Sequence, residues 1–127
     1  MFGVHLGQSD ASVIDARKHL GVNRIIGLTV ETWQQLEQAQ DLPIDYIGIS
    51  SVFTTQTKQD IKTVWGIDKL QQACSYSRIP LVAIGGINVA NIQYLRALKL
   101  HSVAVTSAIT QADCKFTATK QLAALLQ

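Results

Sequence analysis

The chain has 127 residues, 47% of them hydrophobic and 16% charged, which suffices for one core and excludes a disordered or fibrous chain. Its 11 Lys+Arg against 9 Asp+Glu leave a formal charge of +2, with the basic residues scattered singly, so nucleic acid is not expected as the main partner. No apolar run reaches the length of a membrane span and the N-terminus lacks a basic segment leading into an apolar one, so no membrane partner and a cytoplasmic location are expected.

Short β-branched or aliphatic runs alternate with longer segments of helical period, the pattern of parallel βα units. The first predicted strand is Val4–Leu6. It leads into Gly7-Gln8-Ser9-Asp10 and a predicted helix over Ser9–Leu20, capped at Ser9 or Asp10 and stopped by Gly21. At a strand end the Asp10 carboxylate could bind a hard cation such as Mg2+, but its residue type favours a plain helix cap about two to one. His5 inside the strand reads as a packed or hydrogen-bonded residue, and His19 and His101 flank surface elements. None has a Ser or Cys partner at a motif spacing, so a hydrolytic triad is unsupported.

The second unit pairs a strand over Arg24–Thr29 with a helix over Glu31–Leu42 that ends at Pro43, with Trp33 as a structural residue of that helix. The third strand, Tyr46–Ser50, opens into the longest irregular stretch, Phe53–Val64. Within it Thr54-Thr55-Gln56-Thr57-Lys58 offers hydroxyls, backbone N–H groups and an ammonium suited to a phosphate or pyrophosphate. A threonine-rich loop is as often a solvated turn; Lys58 tips the balance by supplying charge. Trp65 reads equally as a loop anchor over the site or as a packing residue.

A helix over Gly66–Ser77 carries Ile67, Leu70, Ala73 and Cys74 on one side and stops before Pro80. The fourth strand, Leu81–Ile84, runs into Gly85-Gly86-Ile87-Asn88. There glycines allow backbone amides to approach an anion, or simply make a tight turn. Asn88 is expected to cap a helix bearing Val89, Ile92, Leu95 and Leu98. The fifth strand, Val103–Thr106, leads to Thr106-Ser107-Ala108-Ile109, a second anion-ready loop beside the fourth, as in phosphate-binding barrels. A last helix from about Asp113 would turn Phe116, Leu122 and Leu125 inward. Cys74 and Cys114 share no ligand spacing and read as reduced packing thiols, with neither a disulfide nor a zinc site.

In order and spacing, GVHLGQSD (Gly3–Asp10), YIGISSVFTTQTK (Tyr46–Lys58), AIGGI (Ala83–Ile87) and VTSAI (Val105–Ile109) resemble the thiamine phosphate synthase family. The TxTK loop separates this resemblance from the thiazole tautomerases, which have the same barrel and are the nearest enzymatic alternative. The resemblance implies an α/β fold, an incomplete TIM (β/α)8 barrel of about five C-terminal βα units with parallel strands. Residues 1–127 would form a single partial-barrel domain lacking the family's N-terminal strands, since eight units are needed for closure.

The implied activity is that of a transferase: coupling hydroxymethylpyrimidine diphosphate to thiazole phosphate, with Mg2+, to give thiamine phosphate and pyrophosphate. Asp10 would be one metal ligand and Lys58 the catalytic contact to the leaving pyrophosphate. Thr55, Thr57, Gly86, Thr106 and Ser107 would hold the thiazole phosphate, and Thr29 stands where the family usually has a serine near the pyrimidine. The family's QxREK segment and Asn-Asp pair have no counterpart, and Ser51 and Thr54 replace common prolines. The isolated chain is therefore expected to be weakly active or inactive. The alternative is a non-catalytic phosphate-binding or assembly module, which completes a barrel with a complementary N-terminal half or as a homo-oligomer.

Overall fold

The computed structural model describes residues 1–54 and 64–127. Five strands form one parallel sheet in the order β1-β2-β3-β4-β5: β1 Gly3–Leu6, β2 Ile25–Val30, β3 Tyr46–Ile49, β4 Leu81–Ile84 and β5 Ser102–Ala104. The order follows the chain without reversal, as expected for successive βα units wound in one direction.

The register separates the two faces by composition. Leu6, Leu28, Ile47 and Leu81 fall in one row and Val30, Ile49, Ala83 in the next, with Ile26, Ile47, Ile49, Val30 and Ala83 all fully buried. Helices α1 (Val13–Leu20), α2 (Trp33–Ala39) and α3 (Gly66–Tyr76) supply Val13, Leu36, Ala39, Leu70 and Ala73 to the same core. Burying each such aliphatic side chain is worth about 1.5–3 kcal/mol, so this face holds most of the driving force for folding.

Among the described residues no helix covers the opposite face. His5, Gly27 and Tyr46 align in one row, Thr29, Gly48, Val82 and Ser102 in the next, and Ile84 beside Ala104 after that. At its N-terminal end Ile25 is 52% exposed and shares a hollow of about 430 Å³ with Tyr46, Pro80, Val82 and His101. All-parallel sheets bury both faces as a rule, so this side is the concave interior of an unclosed barrel.

Several expectations are corrected. Helix α1 starts later than Ser9: Ser12 is the N-cap, its Oγ accepting from Asp15 N at 3.1 Å, while Gly7 to Asp10 close a separate turn. The helix expected from Asn88 is only a 3-10 turn, Ile92–Leu95. Asn88 and Asn91 take Ala90 N and Asn88 N onto their side chains at 2.9 Å each, competing with helical bonding, and Val89 is exposed.

Residues Ser107–Thr110 form a short helix, α4, before α5 (Lys115–Leu126). Phe116 does not face inward but is 77% exposed. It sits six residues before the buried Leu122, about 120° away around a 3.6-residue helix, whereas Leu125 and Leu126 lie within about 60° of Leu122. Cys114 is likewise exposed rather than packed, while Cys74 is half-buried; both are free thiols. Among the described residues no helix is long and apolar enough to cross a membrane.

Candidate active site

The C-terminal ends of the five strands open on the uncovered side, and the chain's polar groups collect there. Asp10, at the β1 end, is not the helix cap. Its Oδ2 accepts from Gly7 N at 2.6 Å, closing the turn after the strand and leaving the carboxylate exposed. Beside it, Gln8 reaches across to β2, its Nε2 donating to Thr29 O at 2.7 Å.

The floor beneath these groups joins three strands. His5 Nδ1 lies 2.8 Å from the Tyr46 hydroxyl and His5 Nε2 lies 2.6 Å from Thr29 Oγ1. The imidazole and phenol rings stack with centroids 5.5 Å apart. Room for them comes from glycine. A Cβ on Gly27 would run into the Tyr46 ring, and one on Gly48 would lie 2.9 Å from Ile84 Cδ1 and 3.3 Å from His5 Cε1. Partial burial lowers the His5 pKa below its ordinary 6.5, against the opposing pull of the Asp10 charge, so the ring is neutral at pH 7.

At the β3 end, Ser50 and Ser51 are buried and joined by a cis peptide. Ser51 Oγ donates to Phe53 O at 2.6 Å, and Val52 N and Phe53 N donate to Ile84 O and Gly85 O at 2.9 and 3.1 Å. The β3 exit is thereby laid along the Gly85-Gly86 turn. Both glycines have positive φ, 102° and 67°, and a Cβ on Gly86 would sit 2.6 Å from Thr54 O and 2.8 Å from Phe53 O. Glycine is thus required at Gly86 by close approach as well as by dihedral. Asn91 Nδ2 holds the Gly86 carbonyl at 2.8 Å.

Trp65 packs in the hydrophobic core. Its ring is buried, Nε1 donates to Ser50 O at 3.1 Å, and Lys69 Nζ lies 5.2 Å from the ring centroid. Trp33 packs against Trp65 and Tyr76 at 6.3 and 5.2 Å, consistent with a structural role. Thr106 and Ser107 follow β5, the strand registered beside β4 through Ile84 and Ala104, so they neighbour the glycine turn.

Of the expected site residues, Gly86, Thr106 and Ser107 fall on adjoining strand ends, and Thr29 and Asp10 lie toward the β1 side of the same rim. Thr55, Thr57 and Lys58 lie outside the described residues. His5 and Gln8 lie in the GVHLGQSD segment and Tyr46 opens the YIGISSVFTTQTK segment, but neither segment shows that they meet Thr29. Only the register, which lines up His5, Gly27 and Tyr46, brings them together. Among the described residues no group of three or more His, Cys, Asp or Glu gathers as a metal cluster.

The sequence model of the family described as "Thiamine monophosphate synthase" matches residues 1–109, covering all five strands. The chain belongs to that family. The thiamine-phosphate synthase of Vibrio campbellii is 47% identical over 125 residues, 98% of this chain and 61% of the relative. A solved thiamine phosphate pyrophosphorylase from Pyrococcus furiosus superimposes with a TM-score of 0.88 at 33% identity, over 98% of this chain and 59% of that one. A 3-hexulose-6-phosphate synthase structure shares the fold alone, at TM-score 0.71 and 19% identity. The chain thus spans about three-fifths of the relatives it matches. As an α/β protein of this family, its five parallel units are an incomplete (β/α)8 barrel.

Proposed function

We propose that the chain is the C-terminal, phosphate-gripping part of a thiamine phosphate synthase, a single partial-barrel domain over residues 1–127. Completed by the family's N-terminal units, it would couple hydroxymethylpyrimidine diphosphate to thiazole phosphate. The observation that carries this reading is the family match running unbroken over every strand end that lines the rim. The open concave face supports completion by a further segment, because parallel sheets as a rule bury both faces.

In this reading the Gly85-Gly86 turn, Thr106 and Ser107, with Thr55 and Thr57, hold the thiazole phosphate by backbone N–H groups and hydroxyls. Lys58 places its ammonium on the departing diphosphate, and Thr29 faces the pyrimidine. Asp10 fits Mg2+ as one hard oxygen ligand, since its engaged Oδ2 fixes the carboxylate while the exposed group stays open to a cation. When bound, the ion supplies charge neutralisation to the diphosphate. The pyrimidine carbon loses pyrophosphate and the thiazole nitrogen forms the new C–N bond. The chain's own part is to orient both reactants and to offset negative charge on the leaving group.

The test is complementation. The chain is expressed together with the portion of the Vibrio campbellii relative that lies outside the aligned region, and thiamine phosphate formation is followed with both substrates and Mg2+. Product is expected from the pair and little from the chain alone. A folded, associated pair that forms no product would refute the assignment. Lys58→Ala in the pair is expected to lower turnover at least a hundredfold, and Asp10→Asn to raise the Mg2+ needed.

A further inference from the structure

His5, Thr29 and Tyr46 tie side chains from three strands together by hydrogen bonds on the concave face, across the row His5, Gly27, Tyr46 and the row that holds Thr29. The geometry is demanding. Two glycines keep the floor clear, one for the phenol ring and one for the imidazole, and each imidazole nitrogen has a hydroxyl partner within 2.8 Å. A neutral imidazole carries a single proton, so one nitrogen donates and the other accepts.

Which way the chain of bonds runs follows from acidity. A phenol is a better hydrogen-bond donor than an aliphatic alcohol, which favours the arrangement in which Tyr46 O–H donates to Nδ1. The imidazole proton then resides on Nε2 and is donated to Thr29 Oγ1. The threonine hydroxyl, having accepted, is left with its own proton to give. Gln8, holding the Thr29 carbonyl at 2.7 Å, keeps that residue's backbone from rotating away.

We propose that His5 is a positioning residue: clamped in one tautomer between Tyr46 and Thr29, it occupies one lone pair of the Thr29 hydroxyl and leaves that hydroxyl's proton to be donated toward the concave face. The ligand group this favours is an uncharged acceptor, such as the ring nitrogen of a planar heteroaromatic. The identity of the ligand rests on the synthase reading; the tautomer and the direction of the bonds do not.

The experiment separates the two. In the 127-residue chain labelled with 15N-histidine, His5 is expected to give one protonated Nε2 and one unprotonated Nδ1 resonance at pH 7.5. Tyr46→Phe should move Nδ1 and Thr29→Val should move Nε2. A protonated Nδ1, or both nitrogens at a common averaged shift, overturns the proposal whatever the protein's activity. Hydroxymethylpyrimidine diphosphate titrated to millimolar concentration into the labelled chain paired with the complementing Vibrio campbellii portion is then expected to shift Nε2, and to bind at least tenfold more weakly when the chain carries Thr29→Val or His5→Leu. His5→Gln, whose amide can still donate to Thr29, should stay within about threefold of the parent. Equal binding by His5→Leu and the parent overturns the positioning role. A fixed tautomer with no shift anywhere in the spectrum sinks the synthase reading and, with it, the assignment of the ligand.

Discussion

Gly66 and Gly86 offer a controlled comparison, because their φ values, 72° and 67°, are almost equal while their surroundings are not. A Cβ on Gly66 would meet nothing within 4 Å; on Gly86 it would lie 2.6 Å from Thr54 O, 2.8 Å from Phe53 O and 2.9 Å from Phe53 C. Gly66→Ala therefore meets only the left-handed dihedral cost of about 1–2 kcal/mol. Gly86→Ala adds displacement of the β3 exit, which is backbone and cannot rotate aside, an overpacking cost of about 1–3 kcal/mol. Its total of about 2–5 kcal/mol is a large share of the roughly 5–15 kcal/mol that stabilises an ordinary domain.

Urea unfolding followed by far-ultraviolet circular dichroism reads this directly. With a denaturant slope of about 1–3 kcal/mol per molar, the Gly86→Ala midpoint should fall about 1 M further than that of Gly66→Ala. Equal midpoints would refute the claim that the Gly85-Gly86 turn is pressed against the Phe53–Thr54 backbone. The close approach of the glycine turn to the β3 exit would then be wrong.

Arg17 carries another testable burden. It donates to Pro43 O from Nε and Nη2, to Gly21 O and Arg24 O from Nη1, and to Asp45 Oδ2 at 2.9 Å, tying α1 to the lead-ins of β2 and β3. Arg17→Met is expected to cost about 2–4 kcal/mol in urea melts, and Arg17→Lys to recover only part, for want of the planar fork. Trp65→Phe leaves the carbonyl of the buried Ser50 without its indole donor and should cost about 1–3 kcal/mol, read by the same unfolding assay. The His5 pKa is lower folded than unfolded, so its contribution is complete above pH 6.5 and is lost as pH falls from 6.5 toward the depressed folded value. Stability measured from pH 8 to pH 5 should decline over that window, and His5→Gln should flatten this part of the decline.

Much of the architecture was legible in the amino-acid order. Runs such as Ile25–Val30 and Leu81–Ile84 are mostly apolar because a parallel strand under helices buries most of its side chains, and Gly85-Gly86 announces a turn that a Cβ would block. Local pattern failed where tertiary contacts or competing local bonds decided. Asp10 looked like a cap but is spent on Gly7, and Ser12 takes its place. Phe116 looked apolar enough for the core but lies about 120° around the helix from Leu122.

Composition, periodicity and the glycine positions by themselves determined that this chain builds successive parallel βα units with polar groups at the strand ends. They act between near neighbours, and near neighbours set strands, turns and their order. Only the tertiary structure decided that His5, Thr29 and Tyr46 form one hydrogen-bonded set and that, among the described residues, no helix covers one sheet face. Register joins residues up to 41 positions apart, and no short-range preference encodes which of them will lie side by side.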